Sequence, residues 1–152
     1  MKTSTKTYEQ ALEKLENYLR VHRKRQTEER QWLLQQICAL PQPFTIDQLV
    51  EAAAERGIVR ATVYNTLDVF IAAQILNAIE RHAGKGATAY EIMLGRQNRM
   101  QFICRNCGRI SDLHDRTISN MISTHKYPNY TMKRYSLFVY GECKACRVRK
   151  KK

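Results

Sequence analysis

Two Cys-x-x-Cys pairs in the second half of the sequence are its strongest chemical signal. Cys104 stands with Cys107, and Cys143 stands with Cys146. Pairs of this spacing hold four thiolates around one tetrahedral Zn2+ ion when the fold brings them together. Gly108 follows the first pair and permits the tight turn in which backbone amides point at sulfur. Because four thiolates leave no position open for water, we expect one structural zinc ion per subunit and no catalytic one.

Two disulfides are the alternative use of these four cysteines. The sequence shows no secretory hydrophobic segment and no long apolar run, and 26% of its residues are charged. We therefore expect a cytoplasmic protein without a membrane partner, in which thiols stay reduced. The fifth cysteine, Cys38, follows apolar residues at helical spacing, which predicts a buried thiol.

The charge balance indicates a polyanionic partner. The 152 residues include 26 lysines and arginines against 14 aspartates and glutamates, which gives a formal net charge of +12. This favours nucleic acid as the partner. We do not expect an enzyme, because the sequence shows no nucleophile beside a base, no phosphate-binding loop and no open metal site.

Helical patterns fill the first half of the chain. The first helix has its apolar stripe at Tyr8, Leu12, Leu15, Leu19 and His22. Thr27 predicts the start of a second helix, which must end before Pro41. Thr45 and Gln48 form a capping-box pattern for a third helix, and Gly57 suits its end.

A fourth helix near Arg60, followed by two strands, completes a winged-helix order. Its predicted buried face is Val63, Leu67, Phe70 and Ile71. The strands are expected over 75–81 and 89–92, with a turn-rich segment between them. In such a domain the polar residues of the second helix of the pair enter the major groove. The expected DNA contacts are Arg25, Arg60, Thr62, Tyr64, Asn65 and Lys85. A protein-interaction module is the alternative.

The second half predicts a small α/β domain, so the whole chain is α+β. We expect a winged-helix DNA-binding domain over 1–94 and a zinc-stapled dimerisation domain over 95–152, with a basic mobile tail from Arg147 to Lys152. A short amphipathic helix is predicted from Ile118 to His125. The last strand has apolar residues on both faces, which favours a homodimer over a strand covered on both sides by its own chain. Those residues are Tyr135, Leu137, Phe138, Val139 and Tyr140.

Four motifs in one order along nearly the whole chain resemble the ferric uptake regulator (Fur) family. They are Arg25-x-Thr27-x-x-Arg30, Ala61-Thr62-Val63-Tyr64, Cys104-x-x-Cys107-Gly108 and Leu137-Phe138-Val139-Tyr140-Gly141-x-Cys143-x-x-Cys146. The resemblance implies a dimeric winged-helix repressor with a structural four-cysteine zinc that binds AT-rich inverted repeats in promoters. Tyr64 then corresponds to the DNA-contacting tyrosine of the family. The next residue, usually arginine, is Asn65 here and could pair with adenine through two hydrogen bonds.

One segment departs from the family pattern. The run Arg96-Gln97-Asn98-Arg99-Met100-Gln101 stands where members normally have a histidine-rich run that helps to bind a regulatory iron, manganese or zinc ion. Pro43 and Tyr135 also stand where the family usually has histidines. Guanidinium groups do not ligate metal, so this run cannot replace the lost imidazoles.

Glu91 and Asp112 remain as carboxylates of a residual regulatory site. Two carboxylates without imidazoles bind transition metals weakly, so we predict that the regulatory metal is absent. An ion pair is expected to fix the angle between the domains instead. Its members would be Arg96 or Arg99 with Glu91, Asp112 or Glu80.

Two other functions stay open from the sequence. A haem-responsive regulator would need an axial ligand from His82, His114, His125 or Cys38. A zinc-ribbon protein that binds RNA, or a scaffold whose helical half docks a protein, would also use the four cysteines. A major-groove protein should prefer B-form duplex DNA over structured RNA, and competition between the two separates these classes.

Overall fold

The protein forms two compact units of mixed helix and sheet, which confirms the α+β class. The computed structural model describes residues 2–80, 88–94 and 98–149. Residues 2–80 and 88–94 belong to the first unit, and 98–149 belong to the second. None of the helices in these described segments combines the length and apolarity needed to cross a membrane.

The described residues of the first unit form four helices, as the sequence predicts. They are α1 (Lys2–Val21), α2 (Glu28–Ala39), α3 (Ile46–Ala54) and α4 (Arg60–Ala72). Their apolar faces meet in one core, where Leu15, Leu33 and Phe70 are fully buried. His22, predicted at the end of the first stripe, lies beyond α1 and is exposed.

The ends of α2 and α3 follow from their capping residues. The Thr27 hydroxyl accepts a hydrogen bond from the Arg30 amide at 3.2 Å at the start of α2. At the start of α3 the Gln48 side chain accepts from the Thr45 amide at 2.8 Å. Gly57 has a φ of 75°, a left-handed conformation that glycine adopts without a Cβ clash. Its amide and that of the next residue donate to carbonyls of the last helical turn, each at 3.0 Å, as in a Schellman motif.

A three-stranded antiparallel sheet completes the first unit. Its strands are β1 (Phe44–Thr45), β2 (Leu76–Ile79) and β3 (Ala89–Ile92), in the order β1-β3-β2. The sequence predicts β3 at its observed position. It misses β1, because two residues are too short for an alternating pattern to show. The strand predicted from Ile75 begins one residue later, because the Ile75 amide donates to Phe70 at 2.9 Å and closes α4. The predicted end at Arg81 lies outside the described residues.

Residues 98–149 of the second unit form three strands and two helices. These elements are β4 (Asn98–Cys104), β5 (Ile110–Asp112), α5 (Arg116–Thr124), β6 (Tyr135–Gly141) and α6 (Lys144–Arg149). The sheet order is β5-β4-β6, with β5 antiparallel and β6 parallel to β4. The parallel register sets Cys104 opposite Gly141. The carboxyl ends of β4 and β6 therefore lie side by side.

Part of the basic tail is helical, which corrects the prediction of a mobile extension. Residues up to Arg149 belong to α6, and the Arg147 amide donates to the Cys143 carbonyl at 3.0 Å. The helix begins directly after Cys143, so the second cysteine pair lies at its first turn. Arg147 and Arg149 then belong to the helix that this turn starts. Lys150 to Lys152 lie outside the described residues.

Apolar surface stays exposed on the described part of the second unit. Helix α5 buries none of its side chains, and Met121 on it is 67% exposed. In the described sheet β6 is an edge strand whose Val139 and Tyr140 are each more than one-third exposed. An edge strand and an apolar helix face are surfaces that proteins cover with a partner.

Candidate metal centre and nucleic-acid interface

The four cysteines come together at the carboxyl ends of β4 and β6. Cys104 is the last residue of β4, and a turn closed by the Gly108 amide on the Cys104 carbonyl at 2.9 Å presents Cys107. The Arg105 amide donates to the Gly141 carbonyl at 2.8 Å and ties this turn to the segment that leads to the second pair. All four sulfur atoms lie within 4.8 Å of one another.

The spacing of the sulfur atoms fits a tetrahedral zinc site. Zn–S bonds of about 2.3 Å in a tetrahedron place sulfur atoms about 3.8 Å apart, and Cys107 Sγ lies 3.8 Å from Cys143 Sγ. The Cys143 amide donates to Cys104 Sγ at 3.3 Å, a bond that stabilises a thiolate. Four thiolates match the preference of zinc for soft ligands, so this donor set can hold the ion as a closed site.

Two of the four thiols have a lowered pKa, which favours their thiolate form. The pKa of Cys104 is lowered to about 6, first by the backbone amide of Cys143 and then by that of Cys107. The pKa of Cys143 is also lowered, mainly by the Cys146 amide. Burial raises the pKa of Cys146 to about 12. A bound cation would offset this burial cost, because a coordinating thiol loses its proton to the metal.

The disulfide alternative finds no support in the geometry. No disulfide joins any of the five cysteines, all of which lie in described segments. Cys38 is half-buried on α2, and burial raises its pKa to about 11. A thiol with so high a pKa is unreactive at neutral pH, which agrees with a packing role.

Helix α4 turns a polar face to solvent at its amino-terminal end. Its inner residues Val63 and Phe70 are fully buried, which fixes the orientation of the helix. Thr62 is half-buried, whereas Tyr64 and Asn65 are exposed, Tyr64 to 41%. The buried face predicted from the sequence is therefore the face that packs, and the expected contact residues point outward.

A small cluster on this face joins α3 to α4. Arg60 Nη2 donates to Asp47 Oδ1 at 3.1 Å and to the Tyr64 hydroxyl at 3.2 Å. The guanidinium carbon also lies 5.5 Å from the centre of the Tyr64 ring. These bonds raise the pKa of Arg60, with the Tyr64 hydrogen bond as the larger cause. The spacing of Arg60 and Tyr64 by four residues predicts their contact, but no local pattern in the sequence indicates Asp47.

The other expected DNA contacts lie elsewhere. Arg25 is exposed in the irregular segment between α1 and α2, where its carbonyl oxygen accepts a hydrogen bond from Arg30 Nη1. Lys85, expected on the wing, lies outside the described residues. Arg60, Thr62, Tyr64 and Asn65 thus lie on one helix, whereas Arg25 lies in the segment between α1 and α2.

The residual carboxylates do not form a site within one unit. Glu91 is buried on β3 of the first unit, whereas Asp112 lies on β5 of the second. Asp112 Oδ1 accepts from Arg99 Nη2 at 2.9 Å and from Gln101 at 3.3 Å. The predicted pairing of Arg99 with Asp112 is therefore present. Both residues belong to the second unit, so this ion pair does not join the units as predicted from the sequence. Arg96, the other expected arginine, lies outside the described residues.

A cavity of about 570 Å³ lies beside this ion pair, lined in part by His114, Asp115 and Tyr135. The Tyr135 hydroxyl donates to the Ser119 hydroxyl at 2.7 Å. Across residues 2–80, 88–94 and 98–149, however, the four cysteines are the only group of three or more histidine, cysteine or carboxylate side chains whose ligand atoms converge enough to hold an ion.

The sequence and the fold resemble those of characterised proteins. The model of the ferric uptake regulator family matches residues 22–140. The ferric uptake regulation proteins of Neisseria meningitidis and Neisseria gonorrhoeae are each 29% identical over 105 residues, which cover 68% of this chain and 69% of theirs.

Solved structures of low sequence identity show the same fold. The ferric uptake regulator of Helicobacter pylori has a TM-score of 0.70 at 16% identity, covering 92% of this chain and 93% of its own. A zinc uptake regulator complexed with zinc and DNA has a TM-score of 0.54 at 18% identity and covers 99% of both chains. With the family match over most of its length, the chain belongs to the ferric uptake regulator family.

Proposed function

We propose that this protein is a sequence-specific DNA-binding transcriptional repressor. The exposed polar face at the start of α4 is the observation that supports this most directly. Thr62, Tyr64 and Asn65 stand on the second helix of a helix pair, where a winged-helix protein contacts base edges. The net charge of +12 supplies attraction to phosphate.

Asn65 is the expected source of a particular base preference. An asparagine side chain both donates and accepts, and it matches adenine at N6 and N7 in the major groove. Because arginine is the usual partner of guanine, a chain with asparagine at this position should prefer a different operator. The zinc uptake regulator of similar fold was solved with zinc and DNA bound, which supports the same use of the fold here.

The four cysteines are proposed to hold one structural zinc ion per chain. They would hold it through Cys104, Cys107, Cys143 and Cys146, with the ion joining the carboxyl ends of β4 and β6. Bound there, zinc supplies no open coordination position and therefore no catalysis. Its role would be to fix the second unit.

The second unit is proposed to form a homodimer. Val139 and Tyr140 on the edge strand β6 and Met121 on α5 are exposed apolar side chains of the kind that a second copy would cover. A dimer also suits recognition, because two α4 helices related by a twofold axis bind two half-sites of an inverted repeat.

DNA binding makes the first prediction. The full chain should select preferred duplexes from a random library, with two chains per duplex, and its affinity should fall steeply with salt. Tyr64→Ala should weaken binding to the selected duplex by about 1–3 kcal/mol, which corresponds to about fivefold to 150-fold. Fluorescence anisotropy at two salt concentrations measures both effects.

Tyr130→Ala is the matched control, because Tyr130 is 82% exposed and lies in the second unit. It should bind the selected duplex as the unmodified chain does. Structured RNA added as a competitor tests the other function class. If RNA displaces the duplex at lower concentration, or if no duplex is preferred, the proposed function is wrong.

Regulation by a second metal ion is proposed to be absent. Arg99, whose side chain is only 13% exposed, forms an ion pair with Asp112, with Nη2 2.9 Å from Oδ1. A cation bound to this carboxylate would therefore lie next to a fixed guanidinium charge, which disfavours it. The regulator would respond to another signal, or it would bind its operator whenever it is present.

Titration with ferrous or manganous ion makes the second prediction. Zinc-loaded protein should show no further saturable binding in the micromolar range and no change in its affinity for the selected duplex. Isothermal titration calorimetry and anisotropy measure the two quantities. One additional equivalent of metal that tightens DNA binding would show that a regulatory site exists. The same titration with haem, followed by its absorption spectrum, tests the haem-responsive alternative.

A further inference from the structure

The cluster of Asp47, Arg60 and Tyr64 fixes an arginine at the start of α4. One nitrogen of Arg60, Nη2, makes both hydrogen bonds, to Asp47 at 3.1 Å and to Tyr64 at 3.2 Å. A guanidinium has five N–H donors. The two bonds occupy those of Nη2, so the three donors on Nη1 and Nε stay available to a ligand.

The helix itself does not favour a cation in this place. Arg60 is the first residue of α4, where the helix dipole disfavours positive charge. The first turn of α4 contains no acidic residue, and its N-cap Val59 makes no side-chain hydrogen bond. Asp47, from the first turn of α3, supplies the negative charge that the start of α4 lacks.

The ion pair is too exposed to serve mainly for stability. The side chains of Arg60 and Asp47 are 57% and 65% exposed. Exposed pairs of this kind contribute little to folding because water screens them. Their geometric effect is larger, because a free arginine side chain samples many rotamers and one that is bonded at Nη2 samples few.

We propose that Asp47 is a specificity-determining residue of the DNA-binding surface, which acts by positioning Arg60 and, through it, Tyr64. This inference rests on the proposed DNA-binding function. An arginine held at one nitrogen presents its remaining donors in a fixed direction, as hydrogen bonding to a base edge requires. Without Asp47 the same cation would turn freely and bind phosphates of any sequence. The Asp47 carboxylate also repels phosphate, which lowers binding to random DNA.

The test compares Asp47→Asn with Glu51→Gln in the full, zinc-loaded chain. Glu51 is an exposed residue of the same helix, and each substitution removes one negative charge. We expect both variants to bind random duplex more tightly, and Asp47→Asn more so, because it also frees Arg60 to bind phosphate. Only Asp47→Asn should also reduce the preference for selected over random duplex, by about threefold to fivefold, the range that an exposed ion pair permits.

Arg60→Lys keeps the charge and removes the fork of donors. It should lower the same preference, and combining it with Asp47→Asn should add little, because both act through one contact. The thermal midpoint of unfolding should hardly change in Asp47→Asn, Glu51→Gln or Arg60→Lys. A separate readout that needs no DNA is the NMR signal of the Arg60 guanidinium protons. These protons should exchange faster with water in Asp47→Asn than in the unmodified chain, and at an unchanged rate in Glu51→Gln.

Equal preference for selected duplex in Asp47→Asn and Glu51→Gln would overturn the inference and leave the proposed function intact. An unchanged guanidinium signal in Asp47→Asn would overturn it as well. If the unmodified chain prefers no duplex, the proposed function fails and the specificity role fails with it, whatever the NMR signal shows.

Discussion

Replacing Cys146 with serine should remove zinc from the chain and unfold the second unit. A serine hydroxyl is a poor zinc ligand, and three thiolates hold the ion far less tightly than four. The described part of this unit buries few hydrophobic side chains, namely Ile103, Cys104 and Cys146. Structural zinc in small domains contributes about 10–16 kcal/mol of apparent binding free energy, which such a unit cannot replace by packing.

Elemental analysis and circular dichroism check this expectation. The unmodified chain should contain one zinc ion, and Cys146→Ser should contain none and lose strand signal. Cys38→Ala is the matched control, because Cys38 lies in the first unit and does not belong to the four-cysteine site. It should keep its zinc. A Cys146→Ser chain with full zinc content and unchanged unfolding would show that the four-cysteine site does not stabilise this unit.

Replacing Phe70 with alanine should destabilise the first unit by about 3–5 kcal/mol, the usual cost of truncating a buried phenylalanine. Phe70 is fully buried on the inner face of α4, opposite the side that presents Tyr64 and Asn65. The cavity left behind also removes the support that orients α4, so binding to the selected duplex should weaken. Urea unfolding followed by the fluorescence of Trp32, which packs against the same core, measures the change.

Val21→Ala provides the control for this truncation. Val21 ends α1 and is 67% exposed, so its change should alter the free energy of unfolding by less than about 0.5 kcal/mol. Zinc content should stay at one ion per chain in Phe70→Ala, because the four-cysteine site lies in the other unit. Loss of zinc in this variant would mean that the two units do not fold independently.

The helices of the first unit could be predicted because their signals are local. Thr27 and Gln48 mark helix starts through bonds to residues three positions away, and Gly57 marks an end through its left-handed backbone. The buried face of α4 follows from apolar spacing alone. The four cysteines could also be predicted to meet, although they are distant in sequence, because a single ion explains both pairs.

The features that the sequence did not predict depend on contacts between distant elements. Strand β1 exists because Phe44 and Thr45 pair with β3, which no pattern within two residues shows. The pairing of Asp47 with Arg60 crosses from one helix to the next. Helix α6 lies where a mobile tail was expected. It forms because the fold fixes Cys143, the residue directly before the helix.

The parallel pairing of β4 with β6 would also determine when the proposed zinc ion can bind during synthesis. Cys107 and Cys143 are 36 residues apart, and the segment between them contains β5, α5 and β6. A nascent chain that has exposed only the first pair offers two thiols, and closing so long a loop precedes any contact with the second. If the four cysteines hold zinc as proposed, the closed site forms only after Cys146 has been translated. Until then the first pair offers only two of the four thiolates that a closed zinc site needs.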